Sequence, residues 1–194
     1  LPKGRKYKLG TSQRTKTLLA PKSAAQGKND KDTALVFDSG WGGFTPDGKG
    51  YVVRPNRYLP GPWSYVMGNG KIGTVVSLCG FSYTFLENAR MQRITPYAPQ
   101  GGVLETPSEM IFLDTPQGRR MIYGGNIPRQ GGTCQMQNGA MTISYGGEIT
   151  CQLHVWIPLE DPVKLFWLSI QNTSQRPQEF GLSFLASFVM GEGN

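Results

Sequence analysis

The sequence predicts an all-β protein, an antiparallel β-sandwich, and three observations predict it. Gly and Pro account for 26 and 14 of the 194 residues and divide the chain into segments too short for ordinary helices. Val, Thr, Tyr and Phe are abundant in those segments, and branched or aromatic side chains suit a pleated surface. Dipeptides that fit hairpin turns, Asn138-Gly139 above all, separate segments of alternating polarity. The length suffices for one sizeable core.

Charge sets the N-terminal boundary. Residues 1–32 hold nine Lys/Arg against two Asp, whereas the remaining 162 residues hold eleven of each sign. The sequence pI of about 9.4 therefore describes an arm. A basic, flexible arm over 1–32 and a sandwich over 33–194, incomplete at its C-terminal end, is the expected organisation. Such an arm either finds an anionic partner or stays solvated. Tyr7 is the one aromatic among its cations, which argues against single-stranded nucleic acid. No apolar signal region follows the basic start, and no apolar run approaches the roughly 20 residues of a membrane helix. A soluble, cytoplasmic protein with reduced thiols is expected.

Taken in order, Thr33–Phe37 is a short apolar segment, followed by turn clusters at Asp38-Ser39-Gly40 and Pro46-Asp47-Gly48. Tyr51–Arg54 is a strand. Trp63–Met67, the turn Gly68-Asn69-Gly70, Gly73–Cys79 and Tyr83–Leu86 form a meander. Glu109–Asp114 and Arg119–Tyr123 flank Thr115-Pro116-Gln117-Gly118 as a hairpin. TCQMQ, Asn138-Gly139, AMTISY, Gly146-Gly147 and EITCQLHVWI predict two consecutive hairpins with two-residue loops. In that register Cys134 faces Ile143, Tyr145 faces Glu148 and Thr142 faces Cys151. Cys134 and Cys151 then lie on opposite faces and cannot bridge. The apolar face alternates between strands, so both faces of this sheet are expected to be at least partly covered. Val163–Asn172 is a further strand. Phe180, Leu182, Phe184, Ala186, Phe188 and Met190 follow strict period two on the last one, which requires a partner sheet.

Several blocks carry a resemblance. PWSYVMGNGKIGTVVS and GFSYTFLENARMQRITPY, preceded by SGWGGFTPDGKGYVV and followed by WIPLEDPVKLFWLSIQNTSQRPQEFGLSFLASFVMG, resemble the N-terminal region of glycoside hydrolase family 94. That family includes cellobiose, cellodextrin and chitobiose phosphorylases and part of cyclic β-1,2-glucan synthase. The resemblance spans roughly Phe37 to Gly191. It departs at Ala98–Gly102, where the family carries an Asn-Asp loop and this chain reads APQGG. The resemblance implies the N-terminal β-supersandwich segment of an enzyme that phosphorolyses β-linked gluco-oligosaccharides, with inorganic phosphate as co-substrate and no other cofactor. It also implies a catalytic α/α barrel outside this chain, on the same or another chain, and a homodimer.

The residues themselves argue in the same direction. His154 is the sole histidine, mid-strand, so a triad or a histidine metal site would have a single member. Glycoside cleavage needs two opposed carboxyl groups, or one acid and an external nucleophile. Glu160 and Asp161 are neighbours in a proline-bounded turn, and nothing in the spacing opposes Glu87, Glu105 or Glu109. Gly68-x-Gly70 opens no helix and is no phosphate loop. Asn172-Thr173-Ser174 matches a glycosylation sequon that matters only in a secretory protein.

Catalytic and metal residues are therefore expected to be absent. Trp63, Tyr83, Glu87, Asn88, Arg90, Arg93 and Tyr97 combine aromatic platforms with polar groups and are the candidate carbohydrate-binding residues. The competing reading puts Trp63 and Tyr83 in the core and pairs the charged residues structurally. Two other functions compete with the enzyme-segment reading: a free-standing, non-catalytic carbohydrate-binding sandwich, and a basic-armed nucleic-acid-binding or capsid-like sandwich. The second would show steep salt dependence; its sparse arm aromatics make nucleic acid the weaker partner.

Overall fold

The computed structural model describes residues 17–19, 34–55, 58–60, 63–78, 82–97 and 107–189. These residues form strands and no helix, and no helix among them is long and apolar enough to cross a membrane. In chain order the strands are β1 Thr17–Leu19, β2 Gly42–Phe44, β3 Gly50–Val53, β4 Ser64–Gly68, β5 Ile72–Ser77, β6 Ser82–Leu86 and β7 Glu109–Thr115. Then come β8 Gly118–Tyr123, β9 Thr133–Gln137, β10 Ala140–Tyr145, β11 Ile149–Trp156, β12 Leu165–Asn172 and β13 Gln178–Ala186.

Every strand pair is antiparallel, and the strands make three sheets. The six-stranded sheet runs β12-β11-β10-β9-β3-β2, the four-stranded sheet β1-β13-β7-β8, and the three-stranded meander β4-β5-β6. Val53, Cys134, Met141, Ile143, Leu153 and Val155 of the large sheet join Met67, Ile72 and Val76 of the meander and Ile111, Leu113 and Tyr123 of the four-stranded sheet in one core. The large sheet thus buries one face against the two smaller ones, which is the expected sandwich. β1 pairs with β13; the other residues of the basic stretch lie outside those described, as do Cys79, the 98–102 loop, Glu105 and Met190.

The Asn138-Gly139 hairpin has the expected register, Gln137 opposite Ala140 and Cys134 opposite Ile143. Both turn residues have positive φ, 51° and 73°, as a type I′ turn requires. The second hairpin differs. Tyr145 pairs with Cys151 and Ile143 with Leu153, three residues beyond the two-residue-loop register. Thr173 explains the wider loop: its hydroxyl donates to the Gly147 and Glu148 carbonyls at 2.8 and 3.1 Å, and its backbone N–H donates to the Glu148 carbonyl. Ile149 and Thr150 pair with β12 instead of β10.

An odd shift exchanges the faces of a strand. Ile149, Cys151, Leu153 and Val155 therefore share the buried face with Met141, Ile143 and Tyr145, and the expectation of two covered faces is corrected to one. Cys134 and Cys151 lie on the same face, not on opposite ones, and both are free. β10 separates their strands, so two strand spacings, about 9.5 Å, stand between them, which is beyond disulfide reach.

The last strand is only partly covered. Leu182 and Phe184 of β13 remain 50% and 53% exposed, and Phe188, two residues past the end of the strand, 62%, with Phe166 of β12 against Phe184 at 5.7 Å between ring centroids.

Candidate functional site

The structure distributes the seven candidate residues over three places. Trp63 immediately precedes β4, and its carbonyl accepts the Leu78 N–H. Its indole points toward the large sheet, edge-to-face with Tyr51 at 5.7 Å, and Tyr51 in turn meets Phe44 at 5.0 Å. These three rings line an open groove of about 630 Å³, together with Lys49, Ser64, Tyr65 and Met136. The Tyr65 hydroxyl accepts the Gly139 N–H at 3.1 Å, tying the groove wall to the type I′ turn. Lys49 and Ser64 add polar groups to this aromatic floor, a combination suited to a polyhydroxylated ligand.

Tyr83 lies on the opposite face of the meander, because it pairs with Val75, which pairs with Val66. It is buried, and it contacts Phe85 and the half-exposed Tyr97 with ring centroids 5.2 and 5.0 Å apart. Glu87, Asn88 and Arg90 occupy the exposed turn after β6. Glu87 takes positive φ of 41°, and the Asn88 carboxamide accepts the Arg90 and Met91 N–H groups at 2.9 and 3.0 Å. This turn returns the chain so that Arg93 bridges Phe85. Arg93 Nε is buried with no hydrogen-bond partner among the described residues. None of Glu87, Arg90 and Arg93 forms an ion pair with a described residue. The Trp63 groove and the Tyr83–Tyr97 cluster are thus separate surfaces.

A buried polar cluster, absent from the candidate set, joins all three sheets. The Lys164 ammonium, just before β12, donates to Glu109 Oε2 of β7 at 2.5 Å and to Ser82 Oγ of β6 at 2.8 Å. Ser82 Oγ donates to the same Glu109 oxygen at 2.5 Å and accepts from the Tyr123 hydroxyl at 3.4 Å. The ammonium also faces the Phe166 and Tyr123 rings at 5.1 and 5.7 Å. Side-chain exposure is 5% for Lys164 and 8% for Glu109. Burial pulls the ammonium below its ordinary pKa, while the charge and hydrogen bond of Glu109 oppose that pull. Burial, and then the Glu109 charge, push the Tyr123 phenol well above its usual range. Glu109 is therefore held by a cation instead of facing a second carboxyl group.

The remaining sequence candidates have structural roles. His154 engages Thr142 Oγ1 through Nδ1 at 3.0 Å and Gln152 Oε1 through Nε2 at 3.1 Å, as expected of a satisfied sheet histidine. Glu160 and Asp161 supply backbone carbonyls to the meander turn, accepting from Lys71 Nζ at 2.7 Å and Asn69 Nδ2 at 2.9 Å. The sequon residue Asn172 is buried, its amide donating to the Arg176 carbonyl at 2.7 Å. Burial raises the Cys134 thiol pKa strongly and pushes that of Cys151 up to about 11, which leaves both unreactive as nucleophiles. No three metal-ligating side chains converge among the described residues.

A second cavity, about 490 Å³, is lined by Arg119, Arg120 and Arg176. Arg119 holds Asp114 with two hydrogen bonds, Arg176 reaches Glu148 at 3.4 Å, and Arg120 stacks on Tyr145 and donates to the Gly146 carbonyl.

Fold and site together define an antiparallel sandwich with an aromatic groove and no opposed carboxyl pair among its described residues. The chain belongs to the glycosyl hydrolase 94 family, whose supersandwich domain matches residues 49–194. It is 28% identical over 164 residues to cyclic beta-(1,2)-glucan synthase NdvB of Rhizobium meliloti (strain 1021), a match covering 81% of this chain and 6% of the synthase. The chain thus spans a small fraction of that relative's length.

Proposed function

We propose that this chain is the substrate-shaping, non-catalytic β-supersandwich part of an enzyme that acts on β-linked gluco-oligosaccharides, a glycoside phosphorylase or a β-glucan synthase. The Trp63–Tyr51–Phe44 groove is the observation that carries this reading within the family. The sugar rings' C–H faces stack on the aromatic floor while hydroxyls meet Lys49 and Ser64. Three of the described carboxylates fit a non-catalytic role: Glu109 is held by Lys164, and Asp38 and Asp114 hold Arg54 and Arg119. Phosphate attack and leaving-group protonation then belong to a helical barrel packed on this chain. The enzyme works in the cytoplasm, as a dimer, with inorganic phosphate as co-substrate in the phosphorylase case. Residues 33–194 form one sandwich domain, and residues 1–32 a basic arm tied to it where Thr17–Leu19 pair with β13.

Titration calorimetry of the full chain with linear β-linked gluco-oligosaccharides tests the groove. Trp63→Ala is expected to weaken binding about tenfold, and Trp63→Phe to retain most of it. Equal affinity in wild type and a folded Trp63→Ala variant overturns the assignment of the groove, and no affinity in wild type overturns the carbohydrate reading.

A further inference from the structure

The outward face of the large sheet has a composition of its own. Across β9 to β12 the outward residues are the odd positions of β9, the even positions of β10 and β11, and the odd positions of β12. All of them retain solvent access and none is Lys, Arg, Asp or Glu. An exposed sheet surface ordinarily carries such charges to keep it solvated and unpaired. Here side-chain amides, hydroxyls and one imidazole take their place over most of the face, and Ala140, Trp156 and Leu165 form an apolar row along one end of it. Gln135 donates to Gln137 at 2.8 Å, Gln152 to Ser144 at 3.3 Å, and His154 bridges Thr142 and Gln152. These bonds fix the side chains while leaving each amide with spare donors and acceptors. Beside this polar ladder lies Trp167, 63% exposed and paired across the strands with His154, in the row Gln135–Thr142–His154–Trp167.

We infer that this face is a second glycan-binding surface, a platform on which a neutral β-linked gluco-oligosaccharide lies with one sugar ring on Trp167 and its hydroxyls on the Gln152–His154–Thr142 ladder. The surface spans three strand spacings, about 14 Å, room for several sugar units. Charge complementarity selects the occupant: an uncharged, hydrogen-bond-dense face matches a neutral polyhydroxylated chain and offers nothing to the Lys/Arg-rich residues 1–32. A second copy is the poorer match, since an interface core would desolvate these amides without replacing their water. The inference rests on the carbohydrate reading above for its probe and is independent of the Trp63 groove.

The test is an amide and indole NMR titration of the full chain with linear β-linked gluco-oligosaccharides, run on wild type, Trp167→Ala, Trp167→Phe and Trp63→Ala. Saturable shifts are expected at the Trp167 indole and the Gln135 and Gln152 side-chain amides. Trp167→Ala is expected to weaken these about tenfold, Trp167→Phe to restore most of the loss, and Trp63→Ala to leave them unchanged. Shifts confined to the Trp63 groove overturn this inference while sustaining the groove assignment. Shifts nowhere overturn both, and concentration-dependent self-association abolished by Trp167→Ala shows the face to be a contact between copies instead.

Discussion

Lys164 and Glu109 meet where the three sheets converge, so their pairing acts on packing more than on local structure. Each charge alone in that position would be buried without compensation, and removing one partner of a buried pair costs about 3–5 kcal/mol. Lys164→Met is therefore expected to lower the unfolding free energy by about that amount in urea titrations. The double variant Lys164→Met/Glu109→Leu is expected to be more stable than Lys164→Met alone, because it leaves no orphan charge. A Lys164→Met protein within about 1 kcal/mol of wild type would show the pair to be solvated. Nothing in the sequence announces this pair. The partners are 55 residues apart, and the strand period that placed Glu109 at the head of β7 says nothing of what faces it. His154 was legible for the opposite reason: its neighbours Leu153 and Val155 define a strand, and a sheet supplies hydroxyl and amide partners on its own face.

At the scale of elements, turns decide register. Asn69 illustrates how: its carboxamide oxygen accepts the Lys71 and Ile72 N–H groups while its nitrogen donates to the Pro158 and Asp161 carbonyls. The same side chain shapes the β4–β5 turn and anchors it to the loop before β12. Asn69→Ala is expected to cost about 2 kcal/mol in urea unfolding and to speed hydrogen exchange in β4 and β5; Asn69→Asp, which keeps the acceptor but sets a carboxylate oxygen against the Pro158 and Asp161 carbonyls, should lose stability as well. Equal stability of Asn69→Ala and wild type would contradict the anchoring role. The meander and the Asn138-Gly139 hairpin were readable because their turn residues act locally, through positive φ. The Gly146-Gly147 hairpin was not, since Thr173, 26 residues on, captures its carbonyls. The alternation of apolar faces that its two-residue register produced was the available signal. A three-residue shift removes the alternation and leaves one buried face, as sheets with one wet side require.

For the whole molecule, the fold class and the family were both legible, the first from turn spacing and strand composition and the second from ordered sequence blocks. The distribution of candidate residues was not. Trp63, Tyr83 and Arg93 are near in sequence, but strand pairing sends Trp63 and Tyr83 to opposite faces of the meander. Sequence proximity on a pleated chain does not make one site. Gln135, Thr142, His154 and Trp167, dispersed over 33 positions, are instead brought into one row by the register of four strands.

The function proposed for this chain is to hold β-linked gluco-oligosaccharides without performing their chemistry. A saturation-transfer NMR experiment on the full chain, with a linear β-linked gluco-oligosaccharide and inorganic phosphate in the same tube, tests it most directly. Magnetisation passing to the sugar protons with no sugar 1-phosphate signal appearing over the incubation is the result predicted. Accumulating sugar 1-phosphate, or sugar protons that receive no saturation, would contradict it.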